Sequence, residues 1–307
     1  MYEALETNHS TLFRYLKRRE RYGVQLDLCA KLVDDYRLEH PGGGLVKIYE
    51  FLRYVITSAE VDRISRDRFV RGMIDRGRIL KLLPPKPKTT QSGPYRFDNQ
   101  TRGMLVAGPD QLWVSDTTYF KMSSGEWHYI TFVLDVYSRV ILGYAASDSL
   151  AADANVAALN MAIECRGAAC LQRESMNLVF HTDGGKQFMA KDFLESLERV
   201  KATSSMGFVA QENAFAERVN GIIKGEFLYH WSDSRRSISL LNKRLAKAVK
   251  NYNTIRIHNG LPDRICPADF EVKYAEEHCE GYEVVVKEWN HDPYNSTDKF
   301  TGTQPDA

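Results

Sequence analysis

The sequence predicts an α/β chain in which a mixed-sheet domain follows a small all-helical region. Three observations lead there. Residues 111–205 alternate short β-branched or aromatic runs with segments of helical periodicity. Residues 1–83 carry helical periodicity alone, and residues 84–108, beginning PPKPKTTQSGPYRF, have the Pro, Gly and polar content of a linker.

Taken in order, Leu12, Phe13 and Leu16 lead a basic helix with Lys17, Arg18, Arg19 and Arg21. Leu28, Leu32 and Val33 continue it as an apolar stripe over Val24 to Leu38, until His40-Pro-Gly-Gly-Gly stops it. A second helix covers Val46 to Thr57. Ser65 is placed to cap a third, on which Phe69 and Met73 face inward and Arg66, Arg68 and Arg71 remain outside. Strands follow near 111–121, 126–135 and 138–146, then a helix near 152–165, a strand near 177–182, a helix near 189–199 and a short strand near 201–205. From about Asn213 to Tyr229, Phe215, Val219, Ile222, Ile223 and Phe227 recur at helical spacing, leaving Glu217, Asn220 and Lys224 on another face. A helix begins near Ser237, and the tail after Asn290 is polar enough to expect disorder.

The chain of 307 residues has 43% hydrophobic and 26% charged residues, ordinary for a globular protein. No run reaches the roughly 18 to 20 apolar residues that span a bilayer, and MYEALETNHS lacks a secretory leader, so the cytosol is expected. Five cysteines, 29, 165, 170, 266 and 279, show no CxxC spacing and support neither a disulfide framework nor structural zinc. Net charge is only +1, yet residues 51–100 hold eleven Lys or Arg against five Asp or Glu. Affinity for phosphate depends on where cations lie rather than on the total, and Lys86, Lys88 and Arg96 are placed to follow a DNA backbone.

Three acids stand out, each in a different local setting. Asp116 interrupts the strand-like LWVSDTTYF, although an isolated carboxylate is costly to desolvate unless it is paired, hydrogen-bonded or metal-bound. Asp183 ends a short apolar run and precedes Gly184 and Gly185, where an open α/β sheet presents ligands. Glu217 lies on the last predicted helix of the sheet domain. Hard divalent cations are held by a few such carboxylates plus water and phosphate. Asp135, in VLDVYSR, reads as structural, holding the next turn or Arg139. His181 reads as a hydrogen-bond partner behind the ligands. Trp113 and Trp127 read as core or near-core aromatics, and Arg256 and His258 as either DNA contacts or packing groups. No GxxxxGK[ST] loop is present, which argues against a nucleotide enzyme of that class.

With PDQLWVSDTTYF, VLDVYSRVILGYA, HTDGGKQF, ENAFAERVNGIIKGE and YNTIRIHNGLPDRICPADFE in this order, the chain from about Pro109 resembles the integrase core of retroviral integrases and DDE transposases. It is most similar to bacterial insertion-sequence transposases of the IS-three group. The resemblance implies a ribonuclease H-like catalytic core at 109–235, a helix-turn-helix-like DNA-binding domain at 1–83, a linker at 84–108, a C-terminal helical segment at 236–290 and a tail at 291–307. It implies that Asp116, Asp183 and Glu217 are the catalytic, metal-binding triad for two Mg²⁺ ions, Mn²⁺ being the alternative. It implies DNA contacts at Lys224, and Asn220, Arg66, Arg68, Arg71 and Arg256 are candidates for the same role. Cleavage at the terminal repeats, strand transfer into target DNA, a synaptic homo-multimer, an upstream-frame partner or fusion, and a place on the bacterial nucleoid are further implications. Two features depart from the family. Asp183 and Glu217 are separated by 33 residues, two fewer than usual, with the deficit in Gly207 to Glu212, expected as a flexible loop. Gly184 and Lys186 stand where arginine and serine are common. The alternatives are therefore a catalytically silent DNA-binding derivative and a ribonuclease H-like nuclease that does not join strands.

Overall fold

The computed structural model describes residues 9–58, 64–80, 97–172, 177–207, 210–277 and 281–287. The expectations for Lys86, Lys88 and Arg96 and for the 291–307 tail fall outside them.

The first basic segment and the apolar stripe form one helix, α1 (His9–Glu39). Its lower half buries Leu26, Cys29, Ala30 and Val33 at three- and four-residue spacing against Ile48 and Leu52 of α2 (Leu45–Ser58) and Phe69 and Met73 of α3 (Arg66–Asp75). Leu28, expected in this stripe, is exposed because it lies two residues from Leu26, on the far side of the helix. Ser65 does precede α3 in extended backbone, but its hydroxyl makes no capping bond, and the first turn is closed by the Phe69 N–H donating to the Ser65 carbonyl at 2.9 Å.

The break after α1 also docks this domain. A Cβ on Gly42 would lie 2.5 Å from the Glu226 Cα, so glycine alone lets the Gly42 N–H donate to the Glu226 carbonyl at 2.8 Å. Asn251 donates to the Glu39 carbonyl at 2.8 Å, and His40 meets the edge of Phe227 with ring centroids 5.2 Å apart.

The core runs β1 (Leu105–Val106), β2 (Leu112–Lys121), β3 (Trp127–Asp135), β4 (Ile141–Ser147), α4 (Asp153–Arg166), α5 (Ala168–Leu171), β5 (Val179–Thr182), α6 (Lys191–Arg199), β6 (Thr203–Met206), α7 (Ala214–Ile222), α8 (Ile238–Thr254), α9 (Pro267–Glu277) and β7 (Val284–Val285). The main sheet has the order β4-β3-β2-β5-β6, antiparallel among the first three and parallel from β2 through β6. This is the ribonuclease H-like order that three consecutive strands followed by α/β alternation predict. Side chains alternate across β2: Trp113 joins the layer with α4 and α6, whereas Val114 and Phe120 join that with α7 and α8.

Residues 97–108, expected as linker, instead pack on the core. Thr101 and Val106 are buried, the Gln100 N–H donates to Ser205 Oγ at 2.9 Å, and β1 pairs antiparallel with β7. At the other end of the chain, Phe270, Tyr274 and Tyr282 surround Tyr137, with ring centroids 5.0 to 5.5 Å from it. Trp113 is fully buried and donates to Asp110 Oδ1 at 2.9 Å, while Trp127 is 40% exposed and meets Tyr119 edge-on. Asp135 holds its turn through Ser138, whose N–H and hydroxyl donate to Oδ2 at 2.9 and 2.6 Å. Arg139 is not its side-chain partner and lies over the Phe215 ring. Burial pushes the Asp135 carboxyl up to about 6.

Candidate active site

Strand register brings the first two acids together. β2 and β5 are parallel with Leu112, Trp113 and Val114 beside Val179, Phe180 and His181. Extending that register by two residues sets Asp116 beside Asp183, just past the end of β5. The two carboxyl groups lie within reach of each other, so ionising both is disfavoured. Burial, then the charges of Asp183 and Glu217, push Asp116 well above the usual carboxylate range. Burial likewise raises Asp183, although the Gly185 N–H donates to its Oδ1 at 3.3 Å. Gly184 makes this turn at φ +62°, a conformation that glycine adopts without a Cβ penalty.

Glu217 is exposed on the first turn of α7. Its carboxyl is raised by partial burial and by the charge of Asp183. It is thus electrostatically part of the cluster but not drawn into it. Among the described residues, no three His, Cys, Asp or Glu side chains converge closely enough to hold a metal ion. The Asp116–Asp183 pair has the chemistry a hard cation fits: oxygen donors, mutual repulsion, and acid as the neighbouring charge.

The α7 face expected to meet DNA is turned onto β2 instead. Asn220 is buried and donates from Nδ2 to Asp116 Oδ2 at 2.7 Å. Lys224, also buried, donates from Nζ to Thr118 Oγ1 and, at 3.2 Å, to the Tyr119 carbonyl. The match is geometric: residues two apart on a strand and four apart on a helix are both separated by about 6 Å. Just past α7 the helix widens into a π turn, Ile223–Phe227, which carries Lys224. Arg256 is turned inward in the same way. It is buried and bidentate on Glu226 at 2.7 and 2.8 Å, and its Nη1 donates to His258 Nε2 at 3.1 Å. His258 is buried with its ring edge-on to Tyr252, and burial holds its ring down to about 2.

His181 points its Nδ1 at Ser205 Oγ, 2.9 Å away on β6, and burial lowers it to about 4. The shortened segment before Glu217 is pinned where it is described. Gly207 N–H donates to the Thr182 carbonyl, Glu212 pairs with Arg102 at 3.0 Å, and Asn213 Nδ2 donates to the Ser115 carbonyl at 2.9 Å. Residues 210–213 form a 3₁₀ turn that feeds α7. Of the remaining residues, Arg66, Arg68 and Arg71 are exposed on α3, Arg66 pairing with Asp67 at 3.0 Å. Sequence reasoning missed Glu226, whose partners Lys47 and Arg256 lie far from it in the chain.

Two family models, each describing an integrase core domain, match residues 106–210 and 199–265. The chain is 32% identical over 225 residues to a "Putative transposase for insertion sequence element IS986/IS6110" of Mycobacterium tuberculosis (strain CDC 1551 / Oshkosh), covering 70% of this chain and 77% of that protein. It is 25% identical over 260 residues to a "Transposase for insertion sequence element IS904" of Lactococcus lactis subsp. lactis, covering 83% of this chain and 98% of that one. Among solved structures, the HTLV-2 integrase catalytic core domain in complex with magnesium aligns at 20% identity and a TM-score of 0.42, over 53% of this chain and 96% of that chain. The family models together span residues 106–265, and the mycobacterial relative extends the likeness over more than two thirds of its own length. The chain belongs to the integrase-core family of insertion-sequence transposases.

Proposed function

We propose that this chain cuts and joins DNA at the ends of its own insertion sequence, with Asp116, Asp183 and Glu217 as the catalytic acids. The observation that carries this reading is the half-buried Asp116–Asp183 pair, set side by side by strand register with Glu217 as the next nearby charge. Folding alone gains nothing from such repulsion, and functional sites are where perturbed carboxylates collect. Asp116 and Asp183 would hold a divalent cation, Mg²⁺ or Mn²⁺, with Glu217 completing the set for a second ion. Bound there, the ions supply Lewis acidity at phosphate oxygen and a lowered pKa for the attacking water. Asn220 orients Asp116 by its hydrogen bond, and Lys224 ties the far end of the catalytic helix to β2. In the first reaction water displaces a phosphodiester oxygen and frees a 3′-OH at the element end. In the second that hydroxyl attacks another phosphodiester, exchanging one P–O bond for another, so no external energy source is needed.

Domain roles follow in the same proposal. Residues 1–83 would bind DNA, with Arg66, Arg68 and Arg71 as contacts. The chain would work as a homo-multimer on two terminal repeats and a target, with or without an upstream-frame partner. No helix among the described residues is long and apolar enough to cross a membrane.

The test is cleavage and strand transfer on DNA carrying the element's own terminal repeat, with Mg²⁺ or EDTA, comparing wild type with Glu217→Gln. Metal-dependent joined products that vanish in the variant are expected. Cleavage without joining would reduce the reading to a nuclease, and joining that survives Glu217→Gln would remove Glu217 from the catalytic set.

A further inference from the structure

The upper half of α1 presents a cationic stripe over a cleft that α3 completes. Arg14, Lys17, Arg18 and Arg21 recur at three- and four-residue spacing, so they share one helix face. Continued downward, that face becomes Gln25 and Leu26, which are buried, and a Cβ on Gly72 of α3 would lie 2.6 Å from Leu26 Cδ2. The stripe that binds α3 below is therefore the one that carries cations above, where the hydrophobic core has ended. Arg68 and Arg71 reach the same space from α3, and together the two helices line an open cleft of about 1030 Å³. Asp75 is the acid on its wall. With Arg19, which also lines it, the cleft gathers seven cations and Asp75 among its lining residues, a concentration of positive charge that suits a polyanion.

We infer that this cleft between the basic arm of α1 and the Arg68/Arg71 face of α3 grips the phosphate backbone of duplex DNA. The inference rests on the DNA-joining reading above and adds α1 to the interface, with the grip straddling two helices. Counted from His9 to Gly23, the arm is about 22 Å long at 1.5 Å per residue, which exceeds the roughly 12 Å width of a B-DNA major groove. One arm can therefore meet phosphates on both sides of a groove. Tyr15 and Tyr22 also line the cleft and supply surface against sugars, but the recognition is of charge, so sequence preference is not required of it.

The experiment measures binding of the full chain to a duplex of arbitrary sequence across a salt series. Wild type is compared with Arg14→Gln/Lys17→Gln/Arg18→Gln/Arg21→Gln, with Arg68→Gln/Arg71→Gln, and with a variant in which Arg14, Arg18 and Arg21 become lysine. Each phosphate contact contributes about 0.9 to the slope of log affinity against log salt, so the four-residue variant should lose between about three and four units of slope and the α3 pair between one and two. The lysine variant keeps the charge and should keep the slope, which separates loss of contact from loss of fold. A four-residue variant with an unchanged slope, alongside an α3 pair that loses its own, would overturn the two-helix cleft while leaving DNA binding intact. Wild type without salt-dependent binding would overturn both readings. If the four-residue variant changed self-association in sedimentation and left the DNA slope alone, the cleft would hold an acidic protein segment, and the inference would again fail.

Discussion

Glu217 and Glu226 lie nine residues apart on one continuous helical segment, yet their surroundings treat their charges in opposite ways. Around Glu217 the neighbouring charges are acidic, and all three carboxyl groups are raised. Around Glu226, burial alone would raise the carboxyl, but Arg256 and Lys47 outweigh it and hold it down to about 2. Arg256 is the stronger partner. Lys47 is itself held below its ordinary range by burial and by the Arg256 charge. The two ends of the segment use acid differently. At the first end repulsion is left for a ligand to relieve, and at the second the charge is satisfied within the chain and ties the amino-terminal domain, α7 and the segment after α8 together.

Removing the satisfied acid should cost most. Glu226→Ala leaves Arg256 buried without its partner, a change that typically costs about 3–5 kcal/mol. Urea denaturation would read this, and a loss below about 1 kcal/mol would mean that the cluster does not hold the domains together. The unsatisfied end should respond with the opposite sign. Asp116→Asn keeps an oxygen for Asn220 to donate to and removes the repulsion, so stability without metal should rise by about 1 kcal/mol or more while strand transfer is lost. A fall in the melting temperature of that variant would show that the acid pair is not repulsive.

Acidification sharpens the same contrast. His40 and His181 are held down to about 4, so the unfolded chain binds their protons first, and stability falls as pH drops from about 6.5 towards 4. Glu226 follows: its contribution, of order 3 kcal/mol, is complete above about pH 4.5 and is lost as pH falls towards 2. The Asp116 and Asp183 carboxyls run the other way, and protonation relieves them. His40→Phe should keep the ring packing against Tyr36 and Phe227 and flatten the drop between pH 7 and 5. An unchanged profile would exclude His40 as a source of acid lability.

The smallest difference concerns helix caps. Ser237 Oγ accepts from the Leu240 N–H at 3.3 Å, whereas Ser65 caps nothing. Ser237→Ala should cost about 1 kcal/mol and Ser65→Ala no more than a few tenths. Equal losses in thermal melts would contradict the difference between the two.

The sequence by itself determined the succession of elements, because each rests on local periodicity. β2 to β4, α4, β5, α6, β6 and α7 lie within a few residues of where alternation and helical spacing put them. It also marked Asp116 and Asp183 as costly settings for a carboxylate, since an acid within an apolar strand or at its end is legible from its neighbours, whereas Glu217, on a helix face, was singled out by the family resemblance. What tertiary structure alone decided is which face meets which. Asn220 and Lys224 read as outward-facing because a helix pattern says only that they share a face, and β2 supplied the partners from over 100 residues away. Arg256 was open between a DNA contact and a packing group, and Glu226 is the partner that the fold sets beside it, while residues 97–108 read as linker although β7 and Ser205 pair with them. Leu28 was lost from the core by its position two residues from Leu26. Local sequence sets the dihedral preferences, but the fate of a polar or charged side chain depends on the desolvation and the partner it meets, and only the folded chain provides those.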